Sequence, residues 1–210
     1  MIDNKLNIAI VEDNHAIRKN LVEMIMNEKT FRLLGEFSNA EEAFDTIPHL
    51  MLELVIMDIE LPGMSGIECV AKLKPLCPKT QFMMFTVFEE SEQVFNALAA
   101  GASGYMLKTS SEEEIIAALN ELHAGGSPMS PLIARKVVAS FQKQAQAMKV
   151  VESLSEREKE ILQLLAEGLL YKEIGDKLAI TLGTVKQHLH RIYEKLHVNN
   201  RTEAINKVFR

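Results

Sequence analysis

Residues 54–66 read LVIMDIELPGMSG, and in this stretch an acidic side chain directly follows an apolar run. The four residues LVIM are typical of a buried β-strand, and Pro62 with Gly63 predicts a turn soon afterwards. Asp58 stands where the strand is expected to end. Because charged groups are rarely carried to the lip of a core without a partner or a task, the position of Asp58 suggests a function.

The flanking sequence repeats this pattern, with short apolar strands alternating with amphipathic helices. Five strands are predicted at residues 7–11, 31–37, 53–57, 81–85 and 104–107. Five helices are predicted at residues 14–27, 40–47, 67–76, 93–100 and 112–124. Strands that are apolar throughout and alternate with helices favour a parallel sheet covered on both faces. Residues 1–125 are therefore predicted to form an α/β domain.

Polar residues follow four of these strands at their carboxyl ends, where open parallel sheets place their functional groups. They are Glu12 and Asp13 after the first strand, Asp58 after the third, Thr86 after the fourth and Lys108 after the fifth. Each one alone is ordinary as a helix cap or a solvated side chain. Their arrival at the same edge from four strands predicts a common site.

The chemistry of this site follows from its charges. Three close carboxylates repel one another unless a proton or a cation is present. Mg²⁺ prefers oxygen ligands, and together with Lys108 it would neutralise the acidic groups. Asp58 would then be a nucleophile for in-line attack on a phosphoryl donor, with Thr86 donating a hydrogen bond to a phosphoryl oxygen. The backbone carbonyl of Glu60 is expected to add a metal ligand.

These motifs resemble the receiver domain of two-component response regulators. The resemblance covers about residues 5–125 and rests on the acidic pair, on Asp58 before LPGMSG, on Thr86 and on GYMLK ending at Lys108. It implies a doubly wound, flavodoxin-like fold with five parallel strands in the order 2-1-3-4-5. Many receivers have proline after the lysine, whereas this chain has Thr109, so the isomer of that peptide bond stays open.

The same resemblance implies a mechanism of control. A sensor histidine kinase would phosphorylate Asp58, with Mg²⁺ required. Thr86 would then move toward the phosphoryl group, and Tyr105 on the fifth strand would turn inward as the second switch residue. Glu60, two residues after the acceptor, is expected to influence the lifetime of the aspartyl phosphate.

A second domain is predicted after a linker at residues 126–152. The linker begins with a cluster of Gly, Ser and Pro and continues as a helix at residues 132–148. Residues 153–210 are predicted to form a small all-α domain of three short helices. Ser155 and Glu158 give a capping-box pattern at the first helix, and apolar residues recur at helical spacing along the third. Such a unit is typical of a helix-turn-helix.

The sequences LSEREKEIL and TVKQHLHRIYEKL resemble the LuxR/NarL-type output domain over about residues 152–208. This resemblance implies that the third helix lies in the major groove of double-stranded DNA. The candidates for base contacts are Lys186, Gln187 and His190, and those for phosphate contacts are Lys172, Thr184 and Lys195.

Charge and composition restrict the class of protein further. Residues 1–152 carry 13 basic and 21 acidic side chains, a net charge of −8, whereas residues 153–210 carry 10 and 8, a net charge of +2. This contrast favours an acidic module joined to one that tolerates a polyanion. No apolar run is long enough to predict a membrane span, and no secretory signal is predicted. Two cysteines without C-x-x-C spacing disfavour a zinc site or a disulfide framework, and a cytoplasmic location is expected.

Together these features predict a phosphorylation-controlled transcription factor rather than an enzyme. Phosphorylation is expected to favour a homodimer that reads two DNA half-sites. Two other classes stay open. A metal-dependent phosphohydrolase also passes through an aspartyl phosphate, and a DNA-binding regulator that needs no phosphorylation would use its receiver only for dimer contacts.

Overall fold

The computed structural model describes residues 5–152 and 154–209, with the side chains of residues 143–152 left out of the description. The chain divides into two compact units, Met1–Ser140 and Phe141–Arg210. The first unit has two hydrophobic cores and the second unit has one, and each unit is described here by itself.

Strands and helices alternate along the first unit as predicted. The strands are β1 (Leu6–Val11), β2 (Phe31–Phe37), β3 (Leu54–Met57), β4 (Gln81–Thr86) and β5 (Gly104–Leu107). The helices are α1 (His15–Asn27), α2 (Ala40–Thr46), α3 (Gly66–Leu76), α4 (Ser91–Ala99) and α5 (Glu112–His123), with a 3-10 turn Ile47–His49 after α2. Each strand and helix lies within two residues of its predicted ends.

The five strands pair in parallel in the order β2-β1-β3-β4-β5, which confirms the expected fold class. Alternate residues of β3 contribute to two different cores, because successive side chains of a strand point to opposite faces. Val55 and Met57 lie in one core, and Leu54 and Ile56 lie in the other. This double burial explains the unbroken apolar run that precedes Asp58.

The predicted linker helix is present and longer than expected, as α6 (Pro131–Glu152). Its first turns pack on the first unit: Ile133 is fully buried in the core, and Val137 packs against that core. Just before α6, Met129 forms a parallel bridge with Tyr105 of β5. Neither α6 nor any shorter helix within the described ranges has the length and apolarity to cross a membrane.

The second unit contains α7 (Glu156–Ala166), α8 (Tyr171–Leu178), α9 (Leu182–Leu196) and α10 (Arg201–Phe209). The first three are the predicted helices. The expectation of three helices was incomplete, because α10 follows them and buries Ala204 in the core of this unit. A capping pattern marks its start: Glu203 N donates to Asn200 Oδ1, and Asn199 N donates to Glu203 Oε2.

Candidate functional site

Backbone hydrogen bonds bring the polar strand ends of the first unit to one level. The amide of Asp58 donates to the carbonyl of Val11 at 2.9 Å, and the amide of Lys108 donates to the carbonyl of Thr86 at 2.8 Å. Asp58 and Lys108 are therefore fixed by the sheet itself, next to the last residues of β1 and β4, Val11 and Thr86. This arrangement places them at the carboxyl edge, as parallel pairing requires.

Lys108 lies between two buried carboxylates at this edge. Its Nζ is 2.8 Å from Asp58 Oδ2 and 2.7 Å from Glu12 Oε2. Asp58 and Glu12 are almost fully buried, whereas Asp13 beside them is exposed. The three acidic residues each place a carboxylate oxygen within 4.8 Å of the others. The structure thus brings together the four charged side chains that were predicted from the sequence to share a site.

Burial and charge both act on the ionisation of this cluster. Burial raises the pKa of Glu12, and the nearby Asp58 charge adds to the rise, although the hydrogen bond from Lys108 opposes it. Burial also acts to lower the pKa of Lys108, but its hydrogen bonds to Asp58 and Glu12 outweigh burial and raise that pKa. The lysine therefore stays an ammonium, and it contacts the two buried carboxylates of the cluster.

Among the described residues, two buried carboxylate oxygens of this cluster have no hydrogen bond of good geometry: Glu12 Oε2, which still lies 2.7 Å from Lys108 Nζ, and Asp58 Oδ1. Asp58 Oδ1 is buried and meets no hydrogen-bond donor among the residues that the structure describes. Such an oxygen is costly to bury unless something else satisfies it. An excess of negative charge and an all-oxygen donor set fit a hard divalent cation, so Glu12, Asp13 and Asp58 are able to hold one.

The two proposed switch residues meet at Phe88, in the segment between β4 and α4. Thr86 is fully buried, and its Oγ1 accepts a hydrogen bond from Phe88 N at 3.4 Å. Tyr105 is also fully buried, so its ring already lies inward, and its hydroxyl donates to the carbonyl of Phe88 at 3.0 Å. The same residue therefore receives one contact from each of them.

The loop after Asp58 is closed by glycine. The amide of Gly66 donates to the carbonyl of Ile59 at 2.9 Å, and a Cβ added to Gly66 would overlap the carbonyl oxygen of Asp58. A side chain is therefore excluded where α3 begins. Glu60 lies exposed in this loop, and the role of its carbonyl as a metal ligand stays a prediction. The peptide bond between Lys108 and Thr109 is trans.

Arg18 is a neighbour of the site that the sequence analysis missed. Its Nη1 donates to the carbonyl of Glu12 at 2.6 Å and to that of Asp13 at 3.2 Å. The arginine thereby fixes the backbone of the acidic pair from the first turns of α1. Its charge could have drawn attention, because Arg18 lies only about one helical turn beyond the N-cap residue Asn14.

In the second unit, five of the six candidate DNA contacts lie on α9, and Lys172 lies on α8. Lys172, Lys186, Gln187, His190 and Lys195 are exposed, and Thr184 is half-buried. The other face of α9 buries Val185, Leu189, Ile192 and Leu196 in the core. Thr184 shares a 2.9 Å hydrogen bond with the hydroxyl of the capping residue Thr181. His190 Nε2 is 3.5 Å from Glu194 Oε1.

Lys195 has a different environment from the other candidates. Its Nζ is 2.7 Å from Oε2 of Glu158, which is only 4% exposed and also accepts a hydrogen bond from Ser155 N. Burial acts to raise the pKa of Glu158, but the hydrogen bonds from Lys195 and Ser155 outweigh it and hold that pKa below its ordinary value. Lys195 therefore joins α9 to the start of α7, a contact that the sequence analysis did not anticipate.

Comparisons with known proteins match each half of the chain to a known family. The family described as response regulator receiver domain matches residues 8–120. The family described as bacterial regulatory proteins, luxR family, matches residues 152–208. The transcriptional regulatory protein LnrK of Bacillus subtilis (strain 168) is 33% identical over 207 residues, which cover 95% of this chain and 94% of that protein.

Solved structures extend the likeness. The response regulator ChrA of a heme-sensing two-component system is 28% identical, with a TM-score of 0.55 over 97% of this chain and 96% of that chain. RcsB from Salmonella enterica serovar Typhimurium, bound to a promoter in the presence of the phosphomimetic BeF3−, is 23% identical. Its TM-score of 0.60 over 98% of each chain supports the fold alone. The chain belongs to the response regulators that join a receiver domain to a LuxR-type DNA-binding domain, and it is a transcription regulator.

Proposed function

We propose that Asp58 accepts a phosphoryl group from a sensor histidine kinase and that this modification controls sequence-specific DNA binding. The observation that carries the proposal is the buried Asp58 Oδ1, which meets no donor within the described residues although an ammonium group contacts the neighbouring oxygen. A purely structural ion pair is expected to satisfy both oxygens. An oxygen left unpaired beside two further carboxylates supports a site that is completed by a ligand.

In the proposed reaction, a carboxylate oxygen of Asp58 attacks the phosphorus atom of a phosphohistidine on the kinase. The oxygen–phosphorus bond forms while the phosphorus–nitrogen bond breaks, and the electron pair stays on the imidazole nitrogen. Lys108 is 2.8 Å from Asp58 Oδ2, close enough for its positive charge to stabilise the developing charge on the phosphoryl oxygens. Water later attacks the same phosphorus atom, the bond between phosphorus and the Asp58 oxygen breaks, and inorganic phosphate departs to leave the free carboxylate.

Mg²⁺ fits this site, and when bound it would supply positive charge opposite the phosphoryl oxygens. Its ligands would be the carboxylates of Glu12, Asp13 and Asp58, with the backbone carbonyl of Glu60. Because Asp13 is exposed, the cluster is open to solvent on that side. Arg18 holds the carbonyls of Glu12 and Asp13 and so keeps the backbone of this ligand pair in place.

Phosphorylation is proposed to act through Thr86 and Tyr105. The hydroxyl of Thr86 would donate to a phosphoryl oxygen and give up its present contact with Phe88 N. Tyr105 already lies inward, so its part in this chain is to follow Phe88 when the segment after β4 moves. The phosphoryl group thereby shifts an equilibrium between conformers that already exist.

The proposed output is binding of a homodimer to double-stranded DNA in the cytoplasm. The N-terminal half of α9 would enter the major groove, with Lys186, Gln187 and His190 facing base edges. Lys172 and Thr184 would contact phosphates. Lys195 is the weakest phosphate candidate, because Glu158 already binds its ammonium group. The match of residues 152–208 to the luxR family of bacterial regulatory proteins supports DNA binding by this unit.

DNA binding before and after phosphorylation tests this proposal. Operator sequences are first selected from random duplex DNA with protein treated with acetyl phosphate and Mg²⁺, and affinity is then measured at fixed salt. Treatment is expected to tighten binding by about tenfold or more, because two linked half-sites act together. Asp58→Asn should lose this response, whereas Asp45→Asn, an exposed control on α2, should keep it. Equal affinity of the labelled and unlabelled protein would instead favour a regulator that needs no phosphorylation.

A further inference from the structure

The linker helix makes a polar contact with the segment that follows Thr86. Lys136 Nζ donates to the carbonyl of Glu89 at 2.6 Å and lies 3.4 Å from Glu89 Oε2. The side chain of Lys136 is only 26% exposed, so most of its length is covered. Glu89 is three residues beyond Thr86 in the chain. A residue of α6 is thus tied to the backbone next to the phosphoacceptor site.

The neighbouring peptide of the same segment is held by the switch residues. The carbonyl of Phe88 accepts from the hydroxyl of Tyr105, and the amide of Phe88 donates to Thr86 Oγ1. Two consecutive carbonyls, those of Phe88 and Glu89, therefore bind β5 and α6 respectively. The amide of Tyr105 also donates to the carbonyl of Pro128, just before α6, at 3.0 Å. The segment after β4 and the start of α6 share one hydrogen-bonded network.

We infer that Lys136 is a positioning residue that couples the linker helix to the phosphoacceptor site, an inference that rests on the proposed phosphorylation of Asp58. When Thr86 donates to the phosphoryl group, Phe88 N loses its acceptor and the segment shifts. The carbonyl of Glu89 then moves away from Lys136, and the first turns of α6 are released. The contact is closed without the phosphoryl group and open with it.

The contact between Lys136 and Glu89 is weak enough to open and close without unfolding the first unit. The apolar anchors Ile133 and Val137 hold α6 on the core and set the cost of releasing the helix. The Lys136 contact joins partly exposed groups, so it stabilises the docked helix only modestly and breaks without unfolding the unit. Because removing this contact raises the population of the released conformer that the phosphoryl group favours, it should also make phosphorylation of Asp58 easier.

The test uses the full chain, hydrogen–deuterium exchange of residues 128–140, and intact-protein mass spectrometry with acetyl phosphate and Mg²⁺. In the wild type, labelling should speed the exchange of this segment by about three- to tenfold. Lys136→Met keeps the apolar stem and removes the donor. It should show the faster exchange before labelling, and its Asp58 should be labelled faster by a similar factor at a low donor concentration.

Two matched variants separate coupling from a general loss of packing. Lys136→Arg retains a donor and should behave as the wild type, and Arg135→Met removes an exposed charge from the same turn of α6 and should also behave as the wild type. Unchanged exchange on labelling, or wild-type labelling kinetics in Lys136→Met, would overturn the inference and leave the proposed phosphorylation standing. A wild-type chain that takes no label at all would overturn both.

Discussion

Each unit of this regulator contains a lysine beside a buried carboxylate, and the two clusters differ in how completely they are paired. In the second unit, Glu158 Oε2 accepts from Lys195 and from Ser155 N, and these contacts hold the pKa of Glu158 below its ordinary value in spite of burial. The carboxylate joins α7 to α9. Neither oxygen of Glu158 is among the buried atoms that lack a partner in the described residues, so this pair needs no ligand and has a structural role.

The cluster in the first unit is incomplete by the same measure. Lys108 serves both Glu12 and Asp58, burial raises the pKa of Glu12, and Asp58 Oδ1 meets no donor in the part of the chain that the structure describes. A lysine next to a buried carboxylate therefore does not by itself identify a functional site. The balance between charges, donors and acceptors identifies such a site, because an oxygen without a donor and an excess of negative charge are stabilised when a ligand binds.

Replacing Lys108 should produce the largest effect, because it removes the single ammonium group that the structure places against Asp58 and Glu12. Lys108→Met is expected to slow the labelling of Asp58 by acetyl phosphate by about 100-fold, the usual cost of losing one electrostatic stabiliser. The rate is measured by intact-protein mass spectrometry at fixed Mg²⁺. Lys72→Met, an exposed lysine on α3, is the control. Labelling of Lys108→Met at the wild-type rate would show that the cluster needs no lysine.

Replacing Glu158 should instead affect stability and leave labelling unchanged. Glu158→Ala removes both a helix cap and a partner of Lys195, and it is expected to lower the free energy of unfolding of the second unit by about 2 kcal/mol. Urea titration followed by hydrogen exchange in α7 and α9 measures this loss. Glu160→Ala breaks an exposed pair with Arg157 and should cost about 0.5 kcal/mol or less. Equal costs for the two variants would contradict the structural role of Glu158.

The same comparison separates two lysines of α9. Lys186 is exposed, and Lys186→Ala is expected to weaken specific DNA binding by roughly 1–3 kcal/mol without changing unfolding. Lys195→Ala should mainly lower the stability of the second unit, since Lys195 binds Glu158. Binding at fixed salt and urea unfolding are measured on both variants. A larger loss of DNA affinity for Lys195→Ala than for Lys186→Ala would contradict the proposed recognition role of Lys186.

Acidification should change the contributions of Glu12 and Glu158 to stability in opposite directions. This is the smallest of the predicted effects. The raised pKa of Glu12 means that its contribution to stability is complete below the ordinary value of 4.5 and is lost as pH rises through the raised value. The lowered pKa of Glu158 means that its contribution is present above 4.5 and is lost as pH falls through the lowered value.

Unfolding of each unit as a function of pH, in buffer without divalent ions, measures these slopes. Glu12→Gln should flatten the profile of the first unit above pH 4.5, and Glu158→Gln should flatten that of the second unit below it. Slopes of the same sign in both units would remove the distinction between an incomplete and a complete cluster.

The fold and the charged site were predictable because both depend on patterns that are local in the chain. Apolar runs locate the strands, and parallel pairing then forces the residues after β1, β3 and β5 to one edge, so Glu12, Asp58 and Lys108 could be grouped before any distance was known. The apolar runs thus predict the fold of the first unit, and the polar residues at their ends predict its site.

Pairs of side chains far apart in the chain could not be predicted in this way. Glu158 and Lys195 are 37 residues apart, and Lys136 is 47 residues from Glu89, so only the packing of the helices brings each pair together. The capping-box pattern already accounted for a glutamate at position 158, so there was no reason in the sequence to expect Lys195 as a second partner. Helix α10 was missed for a different reason, since its capping signal at Asn200 and Glu203 was present but not used.

The central claim is that the incomplete cluster accepts a phosphoryl group at Asp58. The full chain is incubated with acetyl phosphate in the presence of Mg²⁺ or of a chelator, and its mass is measured intact and after proteolysis. We expect one added phosphoryl group, located on Asp58, in the presence of Mg²⁺ and none with the chelator or in Asp58→Asn. Full labelling of Asp58→Asn, or no labelling of the wild type with Mg²⁺, would contradict the account.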